Sequence, residues 1–179
     1  MTYYGGRDLA ASFRTVRANT IKIAEDIPEN KYSFKAAPDI RSVGALLVHI
    51  GLGPTFQSFT HQNKIDDLTK LNFPELMAKV SAEEAKPRNK SEIVSFLKTE
   101  GEKFAAYLES LPEPFLAEQV KMPPQAQPAT KSRFEMLMSP KEHEMHHRGQ
   151  LMLVERLLGI VPHLTRQYQE RMAAQQAQR

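Results

Sequence analysis

Leu9, Phe13, Val16, Thr20, Ile23 and Ile27 follow one another at alternating spacings of four and three. Only an α-helix gathers such a series onto one face, whereas a strand would scatter it over two. The pattern predicts a helix from about Asp8 to Ile27, entered after Gly5-Gly6 and closed by Pro28. The same reading finds three more. Ser42 is the expected N-cap of a second helix, with Val43, Leu46, Leu47 and Ile50 as its buried face. Gly53-Pro54 should kink or briefly interrupt it before "TFQSFTHQNKI" resumes. In "SEIVSFLKTEGEKFAAYLESL", Ser91 reads as the cap and Glu92 lies in the first turn. Ile93, Leu97, Phe104, Leu108 and Leu111 form the inner face, and Pro112 and Pro114 end the helix. The fourth opens on Ser139-Pro140-Lys141-Glu142, a capping box with proline at the first helical position, and stops at Gly159 with Pro162 beyond. The preceding "SRFEMLM" is either a separate turn or the same helix kinked at Pro140.

The intervening stretches read as connections. "PENKYSFKAAPDIR" is a loop with two prolines, residues from about Asp66 to Lys90 have room for one short helix, and "MPPQAQP" bars regular helix. No strand-like alternation of useful length is present. These features define an all-α chain, most simply a four-helix bundle, and 179 residues suffice for one domain with its own core. A polar tail begins at about Arg166. Long connections on both sides of the third helix argue against an up-down-up-down order, because short loops are what force antiparallel neighbours.

Charge and composition narrow the function classes. The net charge is +3, but Lys and Arg are spread along the chain without a run of five like charges, so no nucleic-acid partner is expected. No apolar run of about 18 residues exists and "MTYYGGRDLA" lacks a signal-peptide core, so the expectation is a cytoplasmic protein with no membrane partner. With no cysteine, the chain supplies no thiol nucleophile or thiolate ligand, and any metal must be held by nitrogen and oxygen.

The chemistry concentrates in "KEHEMHHRGQ", residues 141–150. Leu151, Val154 and Leu158 mark the inward stripe of the fourth helix, and stepping back by four residues reaches His147, then His143. Two imidazoles one turn apart on one face can share a divalent cation, but two ligands bind weakly. His49, on the apolar side of the second helix, is the candidate third ligand. Taken alone, His49 also fits a core histidine hydrogen-bonded to a carbonyl. His146 falls on the neighbouring stripe with Gln150, Leu153 and Leu157, nearer the boundary.

The same letters satisfy H-E-x-x-H, in which Glu144 would be the general base of a zinc metalloprotease. The longer form of that motif fails: Gln150 and Leu153 stand where glycine and a third histidine belong. Glu170, the remaining candidate third ligand, sits in the polar tail, and no edge strand exists to hold a peptide.

"SVGALLVHI" (42–50) followed by "HEMHHRGQLMLVERLLGIVP" (143–162) resembles the DinB/YfiT-like superfamily of small bacterial bundle proteins. The resemblance extends over nearly the whole chain in element order. It implies a four-helix bundle whose second and third helices run parallel, and a divalent metal, nickel or zinc, on His49, His143 and His147. It further implies an open coordination position, as in a metal-dependent thiol S-transferase or hydrolase acting on a small molecule. Lacking cysteine, the chain would draw any thiolate from a low-molecular-weight thiol. The non-enzymatic counterpart is a stress-response module that binds metal or ligand without turnover. The family also makes a homodimer an expectation, with no interface identifiable in the sequence.

Gln150, near the face of His143, is a candidate to support the site, either toward a metal-bound water or as a hydrogen-bonding residue behind a ligand. Glu144 lies off the ligand stripe, which favours a surface or supporting role over that of a base. Arg148 reads as a helix-packing ion pair and Gly149 as a point of close helix approach. His61 and His163 read as surface residues, and Met136, Met138, Met145 and Met152 as adaptable packing.

Overall fold

The first apolar stripe becomes helix α1 (Gly6–Asp26), followed by α2 (Val43–Leu52) and α3 (Thr55–Gln62), in a computed structural model describing residues 4–177. Then come α4 (Phe73–Glu84), α5 (Lys90–Glu109), the short α6 (Glu113–Ala117), a hairpin of β1 (Gln119–Lys121) and β2 (Thr130–Ser132), α7 (Arg133–Leu157) and α8 (His163–Ala177). The bundle consists of α1, the α2–α3 pair, α5 and α7. Side-chain pairs fix their directions. Arg14 of α1 meets Glu102 and Glu109 of α5 at 2.7 and 2.9 Å while Glu25 meets Lys98 at 3.0 Å, so α1 and α5 are antiparallel. Gly44 faces Ile93 and Gly51 faces Phe96 and Leu97, so α2 and α5 run the same way, as the family resemblance implies. Against α2–α3, α7 runs the other way: His143 lies by His49, Ser139 by Gln57 and Arg133 by His61.

Among the described residues, two large hydrophobic clusters and a smaller one under the hairpin fill the interior. One large cluster gathers Ile23, Ile27, Leu47, Ile50, Leu97 and Leu151; the other gathers Leu9, Phe13, Phe104, Leu108 and Leu137, with Phe13 and Phe104 edge to face at 5.0 Å. Gly6 lies so close beneath the carbonyls of Leu108 and Leu111 that a β-carbon there would clash. No helix among the described residues is long and apolar enough to cross a membrane.

Local chemistry moves several expected boundaries. Ser42 caps α2 as expected, accepting from the Ala45 N–H at 3.3 Å. The cap of α5 is Asn89 rather than Ser91: its side-chain oxygen accepts from the Glu92 N–H at 2.9 Å, and Glu92 accepts from the Asn89 N–H at 2.7 Å. This reciprocal box leaves Ser91 inside the helix. Of the two forms open for the fourth helix, a start at Pro140 or one helix through it, α7 takes the second and runs from a Ser132 cap. Proline at 140 removes the N–H that would bond the Met136 carbonyl. The Ser139 hydroxyl donates to that carbonyl instead, at 2.8 Å, so the helix continues.

The connection after α3 holds a full helix, α4, capped by Asn72. The hairpin pairs Gln119 with Ser132 and Lys121 with Thr130, and buries Val120 against Leu68 and Met136. Three-residue strands are too short to leave a readable alternation. The polar tail folds as α8, held at its start by Arg166 on Asp26 at 2.5 Å. Gly159, with φ of +78°, ends α7 in the left-handed conformation that glycine adopts without strain.

Candidate metal centre

His49 is one turn from the end of α2, and His143 and His147 lie one turn apart on α7. Antiparallel packing of these helices brings the three side chains together. The Nε2 atom of His143 is 3.1 Å from Nε2 of His49 and 3.1 Å from Nε2 of His147, and one nitrogen from each ring lies within 4.8 Å of the others. The rings meet edge to face, with centroids 4.5 to 5.0 Å apart. Packing is tight on one side: a β-carbon on Gly53 would lie 2.9 Å from His143 Nδ1. The Gly53-Pro54 break therefore ends α2 and also makes room for His143.

The outward nitrogens have their own neighbours. His147 Nδ1 lies 2.8 Å from the Gln150 side-chain oxygen, which accepts only an N–H; the proton of His147 is thus on Nδ1 and its Nε2 lone pair points inward. Gln150 also contacts His146 Nε2 at 3.2 Å through its amide nitrogen. His49 Nδ1 faces Glu84 of α4 at 3.5 Å, and the same carboxylate oxygen accepts from Arg41 Nε at 2.7 Å. A carboxylate or amide behind a ligating imidazole orients the ring and selects its tautomer.

His143 can donate one Nε2 proton to one neighbour at most, so hydrogen bonding cannot satisfy both short N···N contacts. Its Nδ1 is buried without a partner among the described residues. Burial first, then the neighbouring His147 and His49, push the His143 imidazole down to about 4. Burial and Arg41 also lower His49, with Glu84 opposing them. Neutral imidazoles with converging lone pairs are the form that binds a divalent cation, so the donor set fits one. His147 borders a cavity of about 450 Å³, and His49 and His143 border another of about 160 Å³.

Glu144 is elsewhere. It is 1% exposed and faces α1, where Arg17 Nε lies 3.0 Å from both its oxygens and Nη2 lies 2.9 Å from Oε2. Arg17 also donates to the carbonyls of Leu97 at 2.9 Å and Ile50 at 3.3 Å. The glutamate of H-E-x-x-H is therefore a buried structural anion, neither a surface residue nor a base beside the triad. Arg17 was readable as an inward charge, four residues after Phe13 and three before Thr20 on the core stripe. Glu84 left no such signal, because periodicity around it is poor.

Two other histidines expected at the surface are buried. His61, 1% exposed, accepts from Arg133 Nη1 at 3.0 Å through Nδ1 and donates from Nε2 to Gln57 at 3.0 Å. Burial and Arg133 push it down to about 4, so its full hydrogen bonding as a neutral ring permits burial. His163 is covered where α8 meets α1 and bonds Asn19 at 3.0 Å. Gly149 is exposed, with nothing within 4 Å of the position a β-carbon would take, so it mediates no close helix approach. Arg148 makes no ion pair among the described residues.

The chain is a four-helix bundle with parallel second and third helices and a histidine triad that spans two of its helices. The chain belongs to the DinB family, whose sequence profile it matches over residues 2–178. No curated protein matches it by sequence. Among solved structures it resembles the DinB-like YjoA of Bacillus subtilis, at 22% identity and a TM-score of 0.63, over 84% of this chain and 92% of that one. A DinB-like protein of Bacillus cereus is similar at 17% identity and TM-score 0.67, over 90% and 97% of the two chains. YfiT of Bacillus subtilis, described as a probable metal-dependent hydrolase with an unusual four-helix bundle topology, is similar at 10% identity and TM-score 0.66, over 89% and 91%.

Proposed function

We propose that this DinB-family chain is a metal-dependent enzyme of the hydrolase or thiol S-transferase type, with His49, His143 and His147 holding one zinc or nickel ion. The observation that carries the reading is the meeting of three Nε2 atoms, with His143 3.1 Å from each partner, in a pattern that hydrogen bonds cannot satisfy. The description of YfiT as a probable metal-dependent hydrolase supports the same reading. A cation held by three imidazoles supplies Lewis acidity and lowers the pKa of a water or thiol at its open position.

The remaining work falls to this chain's own residues. Gln150 fixes the His147 tautomer, and Glu84 faces the outward nitrogen of His49. The cavity beside His147 supplies walls of Phe34, Leu46, Leu151 and Val154, which exclude water around a bound substrate. Glu144 takes no part in proton transfer, since Arg17 holds both its oxygens. In the thiol-transfer form, the thiol is an external low-molecular-weight compound, because the chain has no cysteine.

The test is metal content by plasma mass spectrometry on untagged protein, comparing wild type with His49→Ala. About one equivalent in wild type, lost in the variant, is expected. Metal retained without His49 would move the site onto α7 alone, and failure of wild type to take up either ion on addition would refute the proposal.

A further inference from the structure

The cavity of about 450 Å³ beside His147 falls within the span of small-molecule sites, about 300–1,000 Å³. Its walls divide by chemistry. Phe34, Val43, Leu46, Leu151 and Val154 present hydrocarbon, while Asp39, Arg41, His147 and Gln150 supply the polar groups. Gln150 is occupied: its oxygen serves His147 and its nitrogen serves His146. Asp39 is exposed at the rim. Arg41 differs from both. Only its Nε is engaged, on Glu84 at 2.7 Å, and its two terminal amines have no partner among the described residues. The Glu84 oxygen it holds is the one facing His49 Nδ1 at 3.5 Å, so the guanidinium stands one carboxylate away from the histidine triad. A guanidinium with two free amines is the side chain best shaped to grip a carboxylate.

We infer that this cleft takes a small amphipathic anion, an apolar ring or short chain ending in a carboxylate, with the head group on the terminal amines of Arg41 and the body against Phe34 and Val154. The inference rests on the metal-site reading in setting the reacting end beside His147; binding of the anion does not. A second negative charge farther out would meet Asp39, so a monoanion is preferred over a dianion.

The experiment is isothermal titration calorimetry on protein incubated with zinc, using phenylbutyrate and its uncharged counterpart phenylbutanol. Wild type is compared with Arg41→Gln and with Ala36→Trp. Ala36 lines the cleft from an exposed loop position, so the indole fills the cavity without entering the core. Wild type should bind phenylbutyrate with one site. Arg41→Gln should weaken that binding about tenfold or more, as expected for a lost charge-assisted bond, and leave phenylbutanol unchanged. Ala36→Trp should abolish binding of both. Absence of phenylbutyrate binding to wild type at millimolar concentration would overturn the inference, as would equal weakening of both probes by Arg41→Gln or indifference to Ala36→Trp. Zinc uptake is measured first on the same samples. Zinc bound without phenylbutyrate overturns the cleft inference and leaves the metal reading intact. Arg41-dependent phenylbutyrate binding to protein that takes up neither zinc nor nickel does the reverse.

Discussion

Arg17→Met removes the cation that holds Glu144 in the middle of the bundle. Arg17 is 3% exposed and Glu144 1%. The guanidinium places Nε 3.0 Å from both carboxylate oxygens and Nη2 2.9 Å from one of them. Methionine fills much of the volume but leaves the Glu144 carboxyl buried without its partner. Removing one partner of such a pair costs about 3–5 kcal/mol. The carbonyls of Leu97 and Ile50 also lose a donor, but both lie within helices, so their share is small. For a urea slope of about 2 kcal/mol per molar, the unfolding midpoint should fall by about 2 M. The double variant Arg17→Met/Glu144→Leu, with both charges gone, should recover most of the loss. Urea titration followed by circular dichroism measures four proteins: wild type, Arg17→Met, Glu144→Leu and the double variant. A single-variant loss below about 1 kcal/mol, or a double-variant loss equal to the sum of two large single losses, would refute the argument. The pair also joins backbone next to two proposed ligands, since Ile50 follows His49 and Glu144 follows His143. Zinc affinity should therefore fall in Arg17→Met and return in part in the double variant.

Gly53→Ala pushes a methyl to 2.9 Å from His143 Nδ1, so zinc affinity measured by competition with a chelating dye should fall about tenfold or more while the helical spectrum is kept; unchanged affinity would show that His143 yields freely. Glu84→Gln removes the anion facing His49, and the same assay should show weaker zinc with little change in thermal stability. Glu155 gives a pH signature. Burial, then Asp26, push its carboxyl up to about 7 from an ordinary 4.5, against Arg166 and Arg156. Between those values the native state keeps a proton that the unfolded chain has lost, so stability falls as pH rises through this window. The full effect, about 3 kcal/mol, is present above pH 7 and absent below pH 4.5. Glu155→Gln should therefore melt higher than wild type at pH 9, with the gap closing toward pH 4; a pH-independent gap would assign the effect to packing alone.

Spacing alone made the bundle legible. The stripe from Leu9 to Ile27 and that of the third helix each place their apolar residues on one face, and a helix is the only regular structure that does so. The same geometry put His143 and His147 on one face, because ligand spacing within a helix is a local property; His49 was only a candidate, on the apolar side of another helix. Boundaries were less legible where two local signals competed. Ser139-Pro140 has the letters of a helix start, yet lies inside α7 because the Ser139 hydroxyl serves the Met136 carbonyl that proline leaves free. Asn89 displaced Ser91 as a cap because Asn89, not Ser91, stands three residues before the Glu92 that closes the box.

What the sequence determined by itself is the main amphipathic helices and the face that His143 and His147 share, both consequences of a 3.6-residue turn. Tertiary structure decided which charges are buried and who answers them. Glu144 and Arg17 lie 127 positions apart and His61 and Arg133 lie 72 apart, and no periodicity links residues on different helices. The helix directions decided the rest: α7 running against α2–α3 turned two histidines on one helix and one on another into three nitrogens around a single point.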